Sequence, residues 1–259
     1  MSNLIFHQHP AIFISLVAIA LVTTLELTYR FGSPLVRHFE TNDELWNAIQ
    51  TGLLALVAFM LGFSFSQAQG RYDTRRELVV TEANAIGTTW LRAGQLPPTA
   101  RARFEHTLYG YTSARLHAYE MPSDPVRFDR LMAQSVDDQG ELWGIASQAV
   151  AQHPSNLGYS LLMQTLNDMI DVSAEQRTAL TQYVPVAAVM LTFSLILVAI
   201  FSLGLSFARA GARPAVFSLI YIAAIALVFE MVIDYDRPQT GLIRVSLAPL
   251  QWQLESMHP

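Results

Sequence analysis

Four apolar runs, two before and two after a long polar middle, constrain the fold of this chain more than any other feature. Each run is close to the roughly 20 residues that a helix needs to cross the hydrocarbon core of a bilayer. The sequence therefore predicts an all-α membrane protein with four transmembrane helices. The predicted spans are residues 11–27, 45–65, 184–207 and 215–233.

The positions of these runs predict the domain organisation. We expect a first transmembrane pair in residues 1–66, a helical region continuous with spans two and three in 67–183, a second pair in 184–233 and a tail in 234–259. The residues before the first run carry no arginine and no small-residue cleavage site follows, which predicts a retained helix and not a removable signal. An even number of spans puts the termini and the middle on one side.

Most of the arginines lie on that side, so the positive-inside rule predicts that the middle region and the tail are cytoplasmic and that the protein resides in the cell inner membrane. All 16 basic residues are arginines, but acidic residues outnumber them in the middle region, and no basic stripe suits nucleic acid. Nucleic acid is therefore not an expected partner.

Several chemistries are disfavoured by what the chain contains. The chain has no cysteine, which excludes disulfides, cysteine-ligated metals and thiol catalysis. It has no His-x-x-x-His pair, glycine-rich phosphate loop or nucleophile elbow, and His106 and His117 are more typical of a surface helix than of a metal site. We therefore predict no enzyme, no cofactor and no metal.

The second span is predicted to continue far beyond the membrane. No proline occurs between Leu45 and Ala93, and apolar positions persist at helical spacing after the apolar run ends. Further amphipathic helices are expected after Pro98, from about Val126 to Val150 and from near Asn156. Pro122 marks a break before the second of these, and Pro185 marks either a kink or a boundary before the third span.

One seam of the second span is polar at one end, apolar in the middle and cationic at the other end. Steps of three and four place these side chains on it: Asn47, Gln50, Leu54, Val57, Leu61, Ser64 and Ala68. The seam predicts either a pore lining, narrowest at Leu54, Val57 and Leu61, or an ordinary helix-packing stripe. The two interpretations differ in whether the seam faces water or another helix. Phe59 and Phe63 on the opposite face are expected to contact lipid or the core.

Two carboxylates lie inside or at the edge of the spans, where an acid is costly and often functional. Glu26 is one turn before Arg30, so we expect a local ion pair. Glu230 has no basic neighbour before Arg237 and is the better functional candidate as an intramembrane acid. The ends of the second and fourth spans carry opposite charges on the same side, which predicts an ion-pair lock or a charged pore mouth. Its members are Arg71, Arg75, Arg76, Asp234, Asp236 and Arg237.

Three segments resemble the signature sequences of the bestrophin-like family of bacterial membrane proteins. They are GFSFSQAQGRYDTRRELVVTEANAIGTTWLRAGQLP (62–97), LNDMID (166–171) and IDYDRPQTGLIRV (233–245). The resemblance implies distant kinship with bestrophins, which are anion channels that assemble as pentamers around a pore lined by the second transmembrane helix. The acidic calcium clasp of animal bestrophins has no counterpart, because Asp137 and Asp138 are only a pair and Tyr235 interrupts the later acids. Calcium gating is therefore not implied.

The family pattern falls on polar residues of the long helix and the later segments: Arg71, Asp73, Arg75, Arg76, Glu82, Asn84, Gly87, Arg92, Asn167, Asp171, Asp234, Asp236, Arg237, Pro238, Gly241 and Arg244. Buried polar groups need hydrogen-bond partners. We therefore predict a polar network that fixes the architecture next to the membrane, with a ligand site as the alternative. Its predicted members are Glu82, Asn84, Arg92, Asn167, Asp171 and Arg244.

Two hypotheses follow for the function. The first is a homo-oligomeric ion channel in the lipid bilayer, with inorganic ions and further copies of the chain as partners. The second is a non-conducting membrane scaffold or sensor whose cytoplasmic helices bind a partner.

Overall fold

The computed structural model describes residues 10–34, 42–121, 124–237 and 241–257, and all regular secondary structure in these ranges is α-helical. The helices are α1 (Pro10–Phe31), α2 (Asp43–Ala93), α3 (Pro98–Glu120), α4 (Pro125–Gln152), α5 (Leu157–Thr181), α6 (Val186–Ala210), α7 (Ala215–Asp236) and α8 (Ala248–Ser256). The all-α prediction is confirmed over the described residues. Pro122, the predicted break, lies outside them.

The chain divides into two compact units. Unit 1 comprises residues 1–71, 183–237 and 241–243, and unit 2 comprises 72–182, 238–240 and 244–259. Four stretches are helical, long and apolar enough to cross a membrane; they contain α1, the first part of α2, α6 and α7. These are the four predicted spans.

The long second helix is confirmed, since α2 runs without interruption from Asp43 to Ala93. Its end coincides with Gly94 and the Pro97-Pro98 pair, where a missing N–H and a restricted backbone stop helix propagation. Pro185 is a boundary and not a kink, because residues 182–185 are non-helical and α6 begins directly after it.

In unit 1, α1 packs against α6 and α7. The core is one apolar cluster in which Leu21 of α1, Ile196 of α6 and Phe229 of α7 are almost completely buried. The outward faces of the same helices expose large apolar side chains, as in Leu16, which is 53% exposed. An exposed apolar face of this kind is typical of a helix surrounded by lipid.

In unit 2, α3 packs on α4, α4 on α5 and the short α8 on α3. Phe104, Leu108, Leu142 and Leu166 are completely buried in a single core. Helix starts are capped locally as well: the Asn156 side chain accepts a hydrogen bond of 2.9 Å from the Gly158 N–H at the beginning of α5.

Candidate functional site

The seam predicted as a pore lining is largely buried within unit 1. Val57, Leu61 and Ser64 are 3%, 7% and 6% exposed, and Ala68 is completely buried. The Ser64 hydroxyl lies 3.3 Å from that of Thr192 on α6. These four side chains therefore contact the chain's own helices, and their predicted place on a pore wall is wrong. The helix-packing interpretation explains them, because their small and apolar side chains let two helices approach closely.

The first turns of the seam are more open. Asn47 is exposed, whereas Leu54 is half-buried against the unit 1 core. Gln50 accepts a 2.5 Å hydrogen bond from Ser206 of α6, and the Trp46 indole N–H donates to the same hydroxyl at 2.7 Å. These bonds connect the beginning of α2 to the end of α6.

The opposite side of α2 is left uncovered by the part of the chain that the structure describes. Phe59 and Phe63 are 66% and 52% exposed and stack on each other with ring centroids 6.4 Å apart. Leu45, Ile49 and Leu56 are exposed as well. We call these five side chains the open face of α2. A pore, lipid or neighbouring subunit can contact the second span through this face.

The three arginines that follow the second span have different surroundings. Arg75 is buried and donates through Nε to the Ala179 carbonyl at 3.1 Å and through Nη2 to the Gln182 carbonyl at 2.6 Å. A cation at these carbonyls stabilises the C-terminal end of α5. Arg71 is half-buried and donates to the Gln67 carbonyl, and Arg76 is exposed. The predicted pairing of these arginines with Asp234 or Asp236 stays a prediction.

The end of α7 holds a buried group of charges. Arg237 is 1% exposed; its Nη1 lies 3.4 Å from Oε1 of Glu230 and 3.8 Å from Oδ1 of Asp234, and its guanidinium stands 5.9 Å from the Phe13 ring. Glu230 thus contacts Arg237, the first basic residue after it in the chain, although the contact is long. Among the described residues, Oε2 of Glu230 has no hydrogen-bond partner.

The two aspartates near Arg237 bind backbone groups. Asp234 accepts from the N–H groups of Leu242 and Ile243 at 2.9 and 2.8 Å, and a Cβ at Gly241 would collide with its carboxylate. Asp236, which is completely buried, accepts from the Val184 N–H at 2.7 Å. These carboxylates hold the turn after α7 and the segment before α6. Pro238, the family-pattern residue that follows Arg237, lies outside the described residues.

Unit 2 contains a buried polar network around Glu82. Arg115 makes a bidentate contact with Glu82, with Nε to Oε1 at 2.7 Å and Nη2 to Oε2 at 3.2 Å, and both side chains are almost completely buried. The Tyr111 hydroxyl donates to Glu82 at 2.9 Å. The amide oxygen of Gln176 accepts from Arg115 at 2.8 Å and from the Tyr119 hydroxyl at 2.7 Å.

This environment alters the acidity of the buried groups. Burial, then the negative charge of Glu82, raises the pKa of Tyr111 far above its usual range. Burial likewise raises the pKa of Tyr119, and the charge of Arg115 only partly opposes this. Burial, the largest single influence, would lower the pKa of Arg115, but the attraction and hydrogen bond of Glu82 together with the influence of Tyr119 and Tyr111 outweigh it, and the pKa rises. Both tyrosines are therefore neutral donors, and Arg115 stays a cation.

The other predicted members of the network lie elsewhere. Asn84 is exposed; Arg92 is half-buried and donates to the Leu161 carbonyl at 2.6 Å. Asn167 donates to Asp171 at 2.8 Å on an exposed face of α5. The Arg244 side chain is exposed, and its carbonyl accepts from the Tyr72 hydroxyl at 3.4 Å. Of the six residues, Asn167 and Asp171 bond to each other, and Glu82 bonds to Tyr111 and Arg115.

Arg115, Tyr119 and Gln176 are members that sequence reasoning missed. A signal was present for Arg115, since it lies one helical turn after Tyr111, and Phe104, Leu108 and Tyr111 recur at the spacing of an apolar helix stripe. A charge on an apolar stripe predicts a buried partner of opposite charge.

Fold and site together define an all-helical membrane protein with an apolar, outward-facing second span and buried ion pairs in each unit. The sequence matches the Bestrophin-like domain over residues 14–250. The chain belongs to the Bestrophin-like family. Among curated proteins, none matches it.

Solved structures agree in fold. A bacterial Bestrophin homolog from Klebsiella pneumoniae with a single mutation is 18% identical over 94% of both chains, with a TM-score of 0.66. Another structure of a bacterial Bestrophin homolog from that organism is 17% identical over 95% of this chain and 98% of the other, with a TM-score of 0.63. The structure of a variant of a membrane protein has a TM-score of 0.72 to this chain. It is 16% identical over 94% of this chain and 97% of the other.

Proposed function

We propose that the protein is an ion channel assembled from several copies of the chain around a pore lined by the open face of α2. The buried residues of unit 1 form a packed apolar cluster, so an ion route through one subunit would have to cross the core. A route between subunits requires an outward-facing surface on a span. The open face of α2 is such a surface, and its exposure is the observation that carries the proposal.

Phe59 and Phe63 are the side chains that we place at the narrowest point. Both project from the uncovered side of the helix, and stacking holds their rings in a fixed relation. A ring of apolar side chains from several subunits can block ions by excluding water from a narrow section, and it conducts when it widens. The seam through Val57 and Leu61 has no role in this pore.

The wider setting follows from the family and the charge distribution. The resemblance to bestrophins supports a homopentamer and anion conduction. The arginine distribution supports the inner membrane, with unit 2 and both termini in the cytoplasm. Asp73 and Glu77 are exposed on α2 beyond the open face, and carboxylates near a pore favour cations. The reversal potential in a salt gradient therefore tests whether the pore conducts anions.

Mass measurement of the purified complex and ion flux in liposomes test the proposal. We expect an oligomer, basal flux from wild type and increased leak from Phe63→Ser. Leu227→Ser is the matched control, since Leu227 is 59% exposed on α7, and it should leave flux unchanged. Leu61→Ser should lower stability without a selective leak. A monomer, or no flux from wild type, would reject the channel, and equal flux from Phe63→Ser and Leu227→Ser would reject Phe63 as its narrowest point.

A second candidate is a non-conducting membrane scaffold or sensor. The packing of the predicted seam favours it, because helix contacts now explain the only pore-like pattern that the sequence showed on the second span. Unit 2 also exposes Leu91 and Leu157, by 78% and 72%, which a partner protein could cover. An oligomer that shows no flux under any salt gradient, for wild type and Phe63→Ser alike, would support the scaffold.

A further inference from the structure

A cavity of about 310 Å³ lies in unit 2, where the start of α3, the end of α4 and the start of α5 meet. Its volume is at the lower end of the roughly 300–1,000 Å³ range of small-molecule sites. The floor is buried and mostly apolar: Ile145 and Ala149 of α4 and Tyr159 of α5 are 8%, 7% and 6% exposed. Exposed polar side chains form the rim. Such a cavity can hold a small molecule whose chemistry matches this lining.

The rim offers uncharged groups that both donate and accept hydrogen bonds. Gln148 and Gln152 lie one turn apart on α4, and Thr99 lies in the first turn of α3. Their side chains make no hydrogen bond with the part of the chain that the structure describes. A carboxamide has an acceptor oxygen beside two donor hydrogens, and a hydroxyl combines both functions in one group. The rim can therefore bind a ligand that has donors and acceptors close together.

Tyr159 adds a polar group to the floor. Its hydroxyl makes no hydrogen bond with any described residue, although the side chain is almost completely buried. Buried tyrosine hydroxyls usually have a partner, and those of Tyr111 and Tyr119 in the same unit do. The His153 ring, 5.9 Å from the Tyr159 ring, continues the aromatic surface of the cavity. Because Tyr159 lines the cavity, a molecule bound there can supply the missing partner.

The arginines around the cavity are already paired. Arg103 is the only arginine among the described lining residues, and its Nε lies 2.7 Å from Oε1 of Glu141. Arg101, in the same part of α3, pairs with Glu105 at 2.7 Å. None of the described lining residues is a carboxylate. This balance of charges suits a ligand that carries no net charge.

We propose that this cavity binds a neutral monosaccharide. Each hydroxyl of a sugar both donates and accepts, as the amides and hydroxyls of the lining do, and its C–H groups can lie on the apolar floor. A purely apolar ligand would leave the Tyr159 hydroxyl buried without a partner, which is costly. An anion would compete with Glu141 for Arg103. The inference concerns unit 2 alone and does not require that the protein conducts.

Saturation-transfer NMR of the purified full chain tests the proposal, in a detergent without a sugar headgroup and at about pH 8, where an ordinary histidine is neutral. The probes are glucose, galactose and mannose, and cyclohexanol is the apolar control of similar ring size. We expect saturable binding of at least one sugar, none of cyclohexanol, and the same affinity at low and high salt because the ligand is uncharged. The proposal would be overturned if no sugar bound, if cyclohexanol bound as tightly, or if high salt abolished binding.

Two variants locate the bound sugar. Gln148→Leu with Gln152→Leu should weaken binding by about 5- to 150-fold, because two uncharged hydrogen bonds are lost. Gln134→Leu, at an exposed position of α4 outside the cavity lining, is the matched control and should leave the affinity unchanged. Tyr159→Phe should weaken binding by about 2- to 12-fold at an unchanged melting temperature, since the hydroxyl has no partner among the described residues. Wild-type affinity in either cavity variant, an equal loss in Gln134→Leu, or a lower melting temperature for Tyr159→Phe would overturn the site.

Discussion

Both units bury a carboxylate beside an arginine, but they do so in different ways. In unit 2, Glu82 and Arg115 form a bidentate pair whose remaining hydrogen-bonding groups are matched by Tyr111 and Gln176. In unit 1, Arg237 lies 3.4 Å from Glu230 and 3.8 Å from Asp234, and one oxygen of Glu230 has no hydrogen bond among the described residues.

The difference lies in how completely the carboxylate is matched. A fully hydrogen-bonded buried pair specifies one arrangement of helices, and its loss leaves an uncompensated charge. Glu230 keeps one oxygen without a hydrogen bond among the described residues, whereas both oxygens of Glu82 are bonded. We infer that the Glu82 network fixes the helix arrangement of unit 2 more strongly than Glu230 fixes that of unit 1.

The largest expected effect is on the Glu82 network. Arg115→Met should lower the free energy of unfolding by about 3–5 kcal/mol, because Glu82 would stay buried without its cation. Adding Glu82→Leu should restore much of the loss. Thermal unfolding of the purified complex measures both variants.

The exposed pair of Arg103 and Glu141 is the matched control for Arg115. Its side chains are 68% and 38% exposed, so Arg103→Met should cost only about 0–1 kcal/mol. Similar losses for Arg103→Met and Arg115→Met would show that burial does not distinguish the two pairs.

The next effect concerns the carboxylates after α7. Asp234→Asn leaves one oxygen where two accept from Leu242 and Ile243, and hydrogen bonds to a charged group contribute about 1.5–3 kcal/mol each. We expect a lower melting temperature, and a further decrease with Asp236→Asn if these aspartates also pair with the arginines of α2. Asp171→Asn, on an exposed face, is the control. If the double variant of Asp234 and Asp236 were as stable as Asp171→Asn, these aspartates would neither hold the turn after α7 nor form the predicted ion-pair lock.

Glycines should respond differently in the two units. Gly204→Ala in unit 1 places a methyl group against Thr28 and should cost about 1–3 kcal/mol. Gly144→Ala in α4 of unit 2 meets open space and should stabilise by about 0.4–1 kcal/mol, because alanine restricts the unfolded chain. Chemical or thermal unfolding of both variants measures the contrast. If both substitutions changed the free energy of unfolding in the same direction, the packing of α1 on α6 would not depend on this close approach.

The smallest expected effect is a pH dependence at Asp138 of α4. Burial, then the charges of Glu141 and Asp137, raises the pKa of Asp138 above its ordinary value. The folded state therefore binds this proton more tightly than the unfolded state, and its stability falls as pH rises from the ordinary pKa to above the raised one.

Asp138→Asn should accordingly raise the melting temperature at neutral pH, with the gain disappearing in acid. Asp129→Asn, at an exposed position of the same helix, is the control. If Asp138→Asn raised the melting temperature equally at every pH, the raised pKa of Asp138 would not be the cause.

Sequence reasoning succeeded where the pattern involved residues close together in the chain or a long continuous run. The uninterrupted α2 and the ion pair of Glu26 with Arg30 followed from proline positions, apolar runs and the spacing of one turn. At Pro185 the sequence predicted a kink or a boundary, and the structure has a boundary. Sequence reasoning failed where the answer depended on which side of a helix meets another helix. The seam through Leu61 and the open face with Phe63 are both apolar, and only the position of α6 distinguishes them. Arg115 was missed because its partner lies 33 residues away along the chain.

Cysteine accessibility along α2 tests the central claim most directly, since the natural chain has no cysteine and each variant carries one thiol. Phe59→Cys, Phe63→Cys, Leu61→Cys and the α7 control Leu227→Cys would be treated in liposomes with a membrane-impermeant thiol reagent. A thiol reacts as its thiolate, which forms in water and not in lipid or a packed core. The pore on the open face predicts modification of Phe59→Cys and Phe63→Cys with a change in flux, and no reaction of Leu61→Cys or Leu227→Cys. Reaction of Leu61→Cys, or no reaction of Phe59→Cys and Phe63→Cys, would contradict it.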